Sequence, residues 1–228
     1  MKTLTITTDE RFERGLHCVT NIMERVFNRE KSITIRGHRD QSRLVLEIKI
    51  TDQNLERRVV SVLVTQLAKI IISDAKCHYI KSNMRLIIPD ELNRHAFIHA
   101  LCSFDKETDF LIAKSLIVLT PHFALDSFYD FRIQPLKKRW QEVCHLANDN
   151  QAYLICPRTF CELLRFLISN IDPKCDEFHV RNDGSTDVAI VTKLIDLAPR
   201  KIIVHKDCNA HLTNRLKTLF GAGVVKLS

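Results

Sequence analysis

The run HKDCNAH, residues 205–211, sets His205, Cys208 and His211 at three-residue intervals. Imidazole nitrogens and thiolates are the ligands that zinc and its neighbours in the transition series prefer. Tetrahedral zinc sites pair such ligands two to four residues apart, and Cys156 and Cys161 are the further thiols that could join. The spacing matches no standard zinc finger, however. His211 is also expected inside a helix, pointing away from the loop that carries His205.

The same stretch has a second chemical reading. KIIVH, residues 201–205, is a β-branched run that reads as a strand ending on His205. In an open parallel sheet, ligands sit beyond the carboxyl ends of the strands. Two loops are expected at that edge, RNDGSTD (181–187) and HKDCN (205–209), each leading into a helix. Amide groups at helix N-termini can hold an anion. The candidate ligand-binding residues are therefore Arg181, Asp183, Gly184, His205, Lys206 and Asp207. The simpler alternative is a pair of β-α connections, with Asp183-Gly184 chosen for turn geometry and Asp207 or Asn209 for helix capping.

Two further groups invite chemistry. In PDELNRHAFIHALCSF, His95 and His99 stand four residues apart, the separation that lets one helix chelate a metal. Glu91, His95, His99 and Cys102 share that face, which also fits an ordinary polar stripe. In RIQPLKKRW, the residues Arg132, Lys137, Lys138, Arg139 and Trp140 combine positive charge with an aromatic ring, as a site for a phosphate backbone and a stacked base would. The sequence contains no phosphate-loop lysine motif and specifies no cofactor, so catalysis stays open.

The elements that must position these residues can be read from periodicity. KTLTITT (2–8), SITIRG (32–37) and RLVLEIKIT (43–51) alternate as strands, the last two as a hairpin around HRDQ. Helices are expected after Asp9 and after Asp52, so residues 1–73 read as β-α-β-β-α. Residues 74–171 read as a helical region. Pro89 is expected to open one helix and Pro121 another, the latter broken and restarted near Gln134 because Pro135 cannot sit in a helix interior. Residues 172–228 read as β-α-β-α-β, a small parallel sheet with helical crossovers. The fold class is thus α/β in the broad sense, more strictly α+β.

Composition narrows the class. The 228 residues carry a net charge of +7, and hydrophobic residues make up 45%. The positive excess is spread along the chain with no basic tail, unlike the clustered footprint of a dedicated nucleic-acid binder. Eight cysteines fall mostly in apolar patterns, and MKTLTITTDE lacks the apolar core of an export signal. A cytoplasmic protein with reduced thiols and no membrane segment is expected.

Two stretches bear a resemblance. LIDLAPRKIIVH (194–205), and DSFYDFRIQPLKKRWQEVCHLA (126–147) followed by FCELLRFLISNIDPKCDEFHV (160–180), resemble the YtxC-like family of bacterial sporulation proteins. The resemblance covers roughly residues 120–220 and implies Phe131, Arg132 and Pro199 through His205 as family positions. The family's cysteine-bearing tail has no counterpart in the closing GVVKLS, and the loop before LIDLAP is shortened; both weaken any shared metal or redox role. The resemblance implies little chemistry beyond a link to sporulation through the family name; the leading reading of the chain is a non-enzymatic binding or regulatory protein with a protein partner. An RNA- or DNA-binding protein is the first alternative. An anion- or nucleotide-binding enzyme working at the strand ends near His205 is the second.

Overall fold

A computed structural model of the chain describes residues 1–85, 87, 88 and 90–228. The fold is α+β, with one mixed four-stranded sheet and one parallel three-stranded sheet. The chain separates into two compact units, residues 1–79 with 107–140 and residues 80–106 with 141–228. The stretch 74–171 contributes to both. The expected helix-opening role of Pro89 lies outside the described residues.

In the first unit, β1 (Lys2–Thr8), β2 (Ile33–Asp40) and β3 (Arg43–Ile50) pair antiparallel, while helices α1 (Glu13–Val26) and α2 (Glu56–Ile70) supply the cover. Alternation puts Leu4 and Ile6 of β1 and Leu46 and Ile48 of β3 in the core with Leu16 and Met23 of α1 and Leu63 and Leu67 of α2. Each such side chain contributes roughly 1.5–3 kcal/mol on burial. Asp52 accepts a hydrogen bond from the Asn54 amide at 2.9 Å and caps the short turn leading into α2. The glycine at 15 lets α1 approach α2, since a Cβ there would stand 2.9 Å from both Ile70 Cγ2 and Asp74 Oδ2.

Two expectations need correction. The hairpin does not turn through HRDQ: β2 runs on to Asp40, and the turn is Gln41-Ser42, with Gln41 in the left-handed region at φ 52°. Polar residues on an exposed edge strand resemble a loop because neither kind of position needs apolar side chains. Pro121 does not open a helix directly. Residues His122–Ala124 form β4, which pairs parallel to β1 and completes the order β2-β3-β1-β4. Three residues are too few for alternation to register; pairing with β1 makes them a strand. The break near Gln134 is present, with α6 (Leu125–Phe131) ending before α7 (Gln134–Asp149) and Pro135 in the first turn of α7.

A π-helical turn, Ile71–Ala75, follows α2 and leads into α3 (Lys76–Asn83). An extra residue in a helical turn rotates the next helical segment by about 100°, and here Lys76 reaches the buried carboxylate of Asp109 in α5 (Lys106–Leu116). Lys76 Nζ lies 2.7 Å from Asp109 Oδ2, Arg139 Nε lies 3.2 Å from Oδ1, and Trp140 Nε1 donates to Oδ2 at 2.9 Å. The Lys76 and Asp109 side chains are only 4% and 2% exposed.

The second unit contains α4 (Glu91–Ser103), α8 (Gln151–Ile155) and α9 (Pro157–Ser169), followed by the predicted β-α-β-α-β segment. Strands β5 (Glu177–Val180), β6 (Lys201–Val204) and β7 (Val225–Leu227) lie side by side in that order, all parallel. The connecting helices are α10 (Asp187–Leu197) and α11 (Ala210–Phe220). Helix α10 packs on α4, and α11 on α9. Helix α10 stops at Ala198, which takes the left-handed conformation at φ 42° and donates its amide to Leu194 O at 2.8 Å. Pro199 then prevents the helix from continuing.

Removing Asp109 takes away the buried carboxylate on which Lys76, Arg139 and Trp140 converge. Asp109→Ala is expected to cost about 3–5 kcal/mol, the range for breaking a buried pair. Arg139→Ala should cost only about 1 kcal/mol, because its side chain is 40% exposed and water can replace it. Urea unfolding of the two variants checks this; equal small losses would contradict it.

Candidate functional site at the carboxyl edge of the parallel sheet

The three strands of the C-terminal sheet are covered on one side only, as far as the described residues of their unit go. Val180, Ile202, Val204 and Val225 face the buried side, together with the half-buried Phe178, over whose ring Lys193 Nζ of α10 sits at 5.0 Å. The intervening positions, Glu177, His179, Lys201, Ile203 and Lys226, face the other way; all but the half-buried Ile203 are exposed. Register places Glu177 beside Lys201, and His179 beside Ile203, which neighbours Lys226. Lys201 Nζ donates to Glu177 Oε1 at 3.0 Å, and that ion pair holds the Glu177 carboxyl below the usual range.

At the carboxyl ends of the strands, backbone pairing continues by one step. The His205 amide donates to Val180 O at 3.1 Å and the Ser228 amide to Val204 O at 3.1 Å. This brings three side chains into a row. His179 Nδ1 lies 2.9 Å from His205 Nε2, and His205 Nδ1 lies 3.3 Å from Ser228 Oγ. The two rings stand 5.2 Å apart between centroids and are tilted by 40°. His205 is half-buried and His179 exposed.

The anion reading of this edge meets opposing charge. Asp207 Oδ2 accepts from the Asn182 amide at 3.3 Å, and Asp183 Oδ1 accepts from the Ser185 amide at 3.0 Å. Ser185, through hydroxyl and amide, lowers the Asp183 carboxyl from its ordinary range. Carboxylates of the protein thus occupy amides that an anion would use. The helix starts are likewise capped, Thr186 accepting from Ala189 N and Asn209 from His211 N. Gly184, at φ 81° with open space around it, serves the turn. Arg181 and Lys206 are exposed. Cys208 Sγ is 3.3 Å from Val180 O, and burial, followed by the nearby Asp207, raises its thiol above the ordinary range.

The other candidates are placed apart. His95 Nδ1 contacts Glu91 O at 2.9 Å within α4. His99 Nε2 lies 2.9 Å from Asp196 Oδ1 of α10, close enough for charge interaction though without hydrogen-bond alignment. Cys102 is buried. The helix therefore spends His99 on its neighbour instead of pairing it with His95. Cys156 is the exposed N-cap residue of α9, while Cys161 is buried in the same helix, and neither joins His205 or Cys208 in a ligand set. Among the described residues no three His, Cys, Asp or Glu side chains converge on a metal position.

The basic run is also dispersed. Trp140 is 2% exposed and hydrogen-bonded to Asp109, so its face is closed to a base. Arg139 contacts the same carboxylate, and Lys137 Nζ sits 4.2 Å above the Tyr129 ring. Arg132 and Lys138 are left exposed. Phe131, 75% exposed, and Arg132 border a hollow in the first unit that includes Val118 and Phe128. At the opposite end of β6 from His205, Ala198, Pro199 and Arg200 line a separate hollow with Arg165 and Phe220.

Sequence reasoning missed His179 and Ser228. The available signal was parity: in a sheet with parallel register, a histidine two residues past Glu177 shares a face with the residue that follows β6.

The cysteines differ in reactivity. The Thr159 amide and hydroxyl, with the Arg158 amide, lower the Cys156 thiol from its ordinary value, whereas burial raises Cys144 and Cys161. Iodoacetamide near neutral pH should label Cys156 first and Cys144 and Cys161 last, as read by peptide mass spectrometry. Earlier labelling of Cys161 than of Cys156 would contradict this arrangement. No protein-family model, no curated protein and no solved structure matches the chain.

Proposed function

We propose that the protein is a non-enzymatic binding or regulatory protein that docks a protein partner on the open face of its C-terminal parallel sheet. The observation that carries this reading is the single-sided cover of that sheet. Purely parallel sheets are characteristically covered on both faces. Here Glu177, His179, Lys201, Ile203 and Lys226 form a continuous face without an element of their own unit over it among the described residues. Its polar rim around the half-buried Ile203 suits a reversible interface.

The resemblance of residues 120–220 supports membership of the YtxC-like family, and the link to sporulation rests on that resemblance alone. The free state of all eight cysteines supports a reducing, cytoplasmic setting. Among the described residues no helix is long and apolar enough to cross a membrane. The nucleic-acid alternative loses support from the burial of Trp140, and the anion-binding alternative from the carboxylates on the loop amides.

A photocrosslinking side chain placed at Ile203 tests the docking face in extract of the source cells. A discrete adduct is expected from position 203, lost when Lys201→Glu and Lys226→Glu reverse the flanking charge. An equivalent group at the exposed Glu162 of α9 should not give that adduct. No adduct at 203, or the same products from both positions, would overturn the reading.

A further inference from the structure

We propose that His179 and His205 form an exchangeable site for a divalent transition-metal ion that favours imidazole, of the Ni²⁺, Zn²⁺ and Cu²⁺ class. The inference is independent of the partner reading, because it needs only the geometry within one sheet.

Four features of the pair bear on a metal. First, the nitrogens that face each other, His179 Nδ1 and His205 Nε2, are 2.9 Å apart. Two imidazole nitrogens on one tetrahedral ion, each about 2.0–2.1 Å from it, stand roughly 3.3 Å apart. Rotations of the two rings that separate them by a few tenths of an ångström and turn each lone pair roughly 35° off the line between the nitrogens would seat the ion. Second, the backbone beneath is fixed by parallel pairing: the His205 amide on Val180 O and the Ser228 amide on Val204 O. A pair held by two neighbouring strands loses less freedom on binding than two histidines on mobile loops.

Third, the other nitrogen of His205 already has an outer partner. In the tautomer whose Nδ1–H donates to Ser228 Oγ, 3.3 Å away, the Nε2 lone pair points at His179. Ligating histidines characteristically use their second nitrogen in this way, which fixes the tautomer and ring orientation. In that tautomer of the metal-free pair, His179 Nδ1–H is the donor to that lone pair. On metal binding the His179 proton moves to Nε2 through solvent, which frees Nδ1 as the second ligand without net proton release from the neutral pair. Fourth, Lys201 is engaged by Glu177, so its charge is partly offset, and the exposed side of His179 leaves room for water to complete the coordination.

The alternative histidine pair on α4 lacks these features. His99 faces Asp196, and His95 Nδ1 is against its own helix carbonyl. With two protein ligands, the sheet site is open and is expected to exchange its ion, unlike the closed four-ligand sites that hold a fold together.

The test uses the full chain with ring-¹³C histidine, titrated with substoichiometric Ni²⁺ and followed by NMR. His→Gln variants assign the resonances, and calorimetry measures affinity. The ring signals of His179 and His205 should broaden first, before those of His95, His99 and His211. His179→Gln and His205→Gln should each weaken Ni²⁺ binding at least tenfold, His95→Gln should leave it unchanged, and Ser228→Ala should weaken it about tenfold. Circular dichroism should show the exposed His179→Gln variant folded. Broadening that begins at another histidine, or affinity unaltered by both His179→Gln and His205→Gln, would overturn the proposal.

Discussion

Neighbouring parallel strands need a crossover long enough to bring the chain back to the same end of the sheet, and β5, β6 and β7 meet that need with α10 and α11. All three strands then finish at one edge. Register does the rest: His179 is paired with Ile203 and Val204 with Leu227, so the next residue of β6's open face, His205, reaches His179 on one side and Ser228 on the other. Residues 26 and 23 positions apart in the chain become hydrogen-bonding neighbours in a row. The same parity turns Ile202 and Val204 toward the helices, so the chemistry of the open face depends on burial of the other.

The first unit is organised around a different problem, the burial of charge. A carboxylate as enclosed as that of Asp109 needs donors on both oxygens, and it receives Lys76 from one part of the sequence and the adjacent Arg139 and Trp140 from another. The π-helical turn before Lys76 is part of this arrangement, since it sets the direction in which the following helix presents that residue. Such a pair adds less net stability than the same volume of hydrocarbon would. What it gives is specificity: a chain traced with Lys76 or Trp140 facing elsewhere strips a donor from the buried carboxylate.

Much of this architecture was legible in the sequence, for physical reasons. KTLTITT and RLVLEIKI alternate because one face of the mixed sheet is buried, and VAIVTKLIDL repeats at helical spacing because α10 covers the parallel sheet. The stop at Leu197 and the strand after Pro199 are equally visible. What escapes is long-range. β4 exists through pairing with β1, which its three residues cannot announce. Trp140 beside two lysines and an arginine suggests base stacking until Asp109, 31 positions away, takes its ring nitrogen. His205 stands out at the strand end, but His179 is recognisable as its neighbour only once the register of β5 and β6 is known. His95 and His99 have the right spacing, yet the approach of α10 directs His99 to Asp196.

Everything asserted about the C-terminal site requires that His179 and His205 share the uncovered face of neighbouring strands. Proton distance contacts between their rings, measured by nuclear Overhauser spectroscopy on histidine-labelled protein, test that placement most directly. A cross-peak between the His179 and His205 ring protons is predicted, since the ring centroids are 5.2 Å apart. Contacts from the His179 ring to the methyl groups of Leu194 or Ile195 in α10 instead would put it on the buried face and contradict the account.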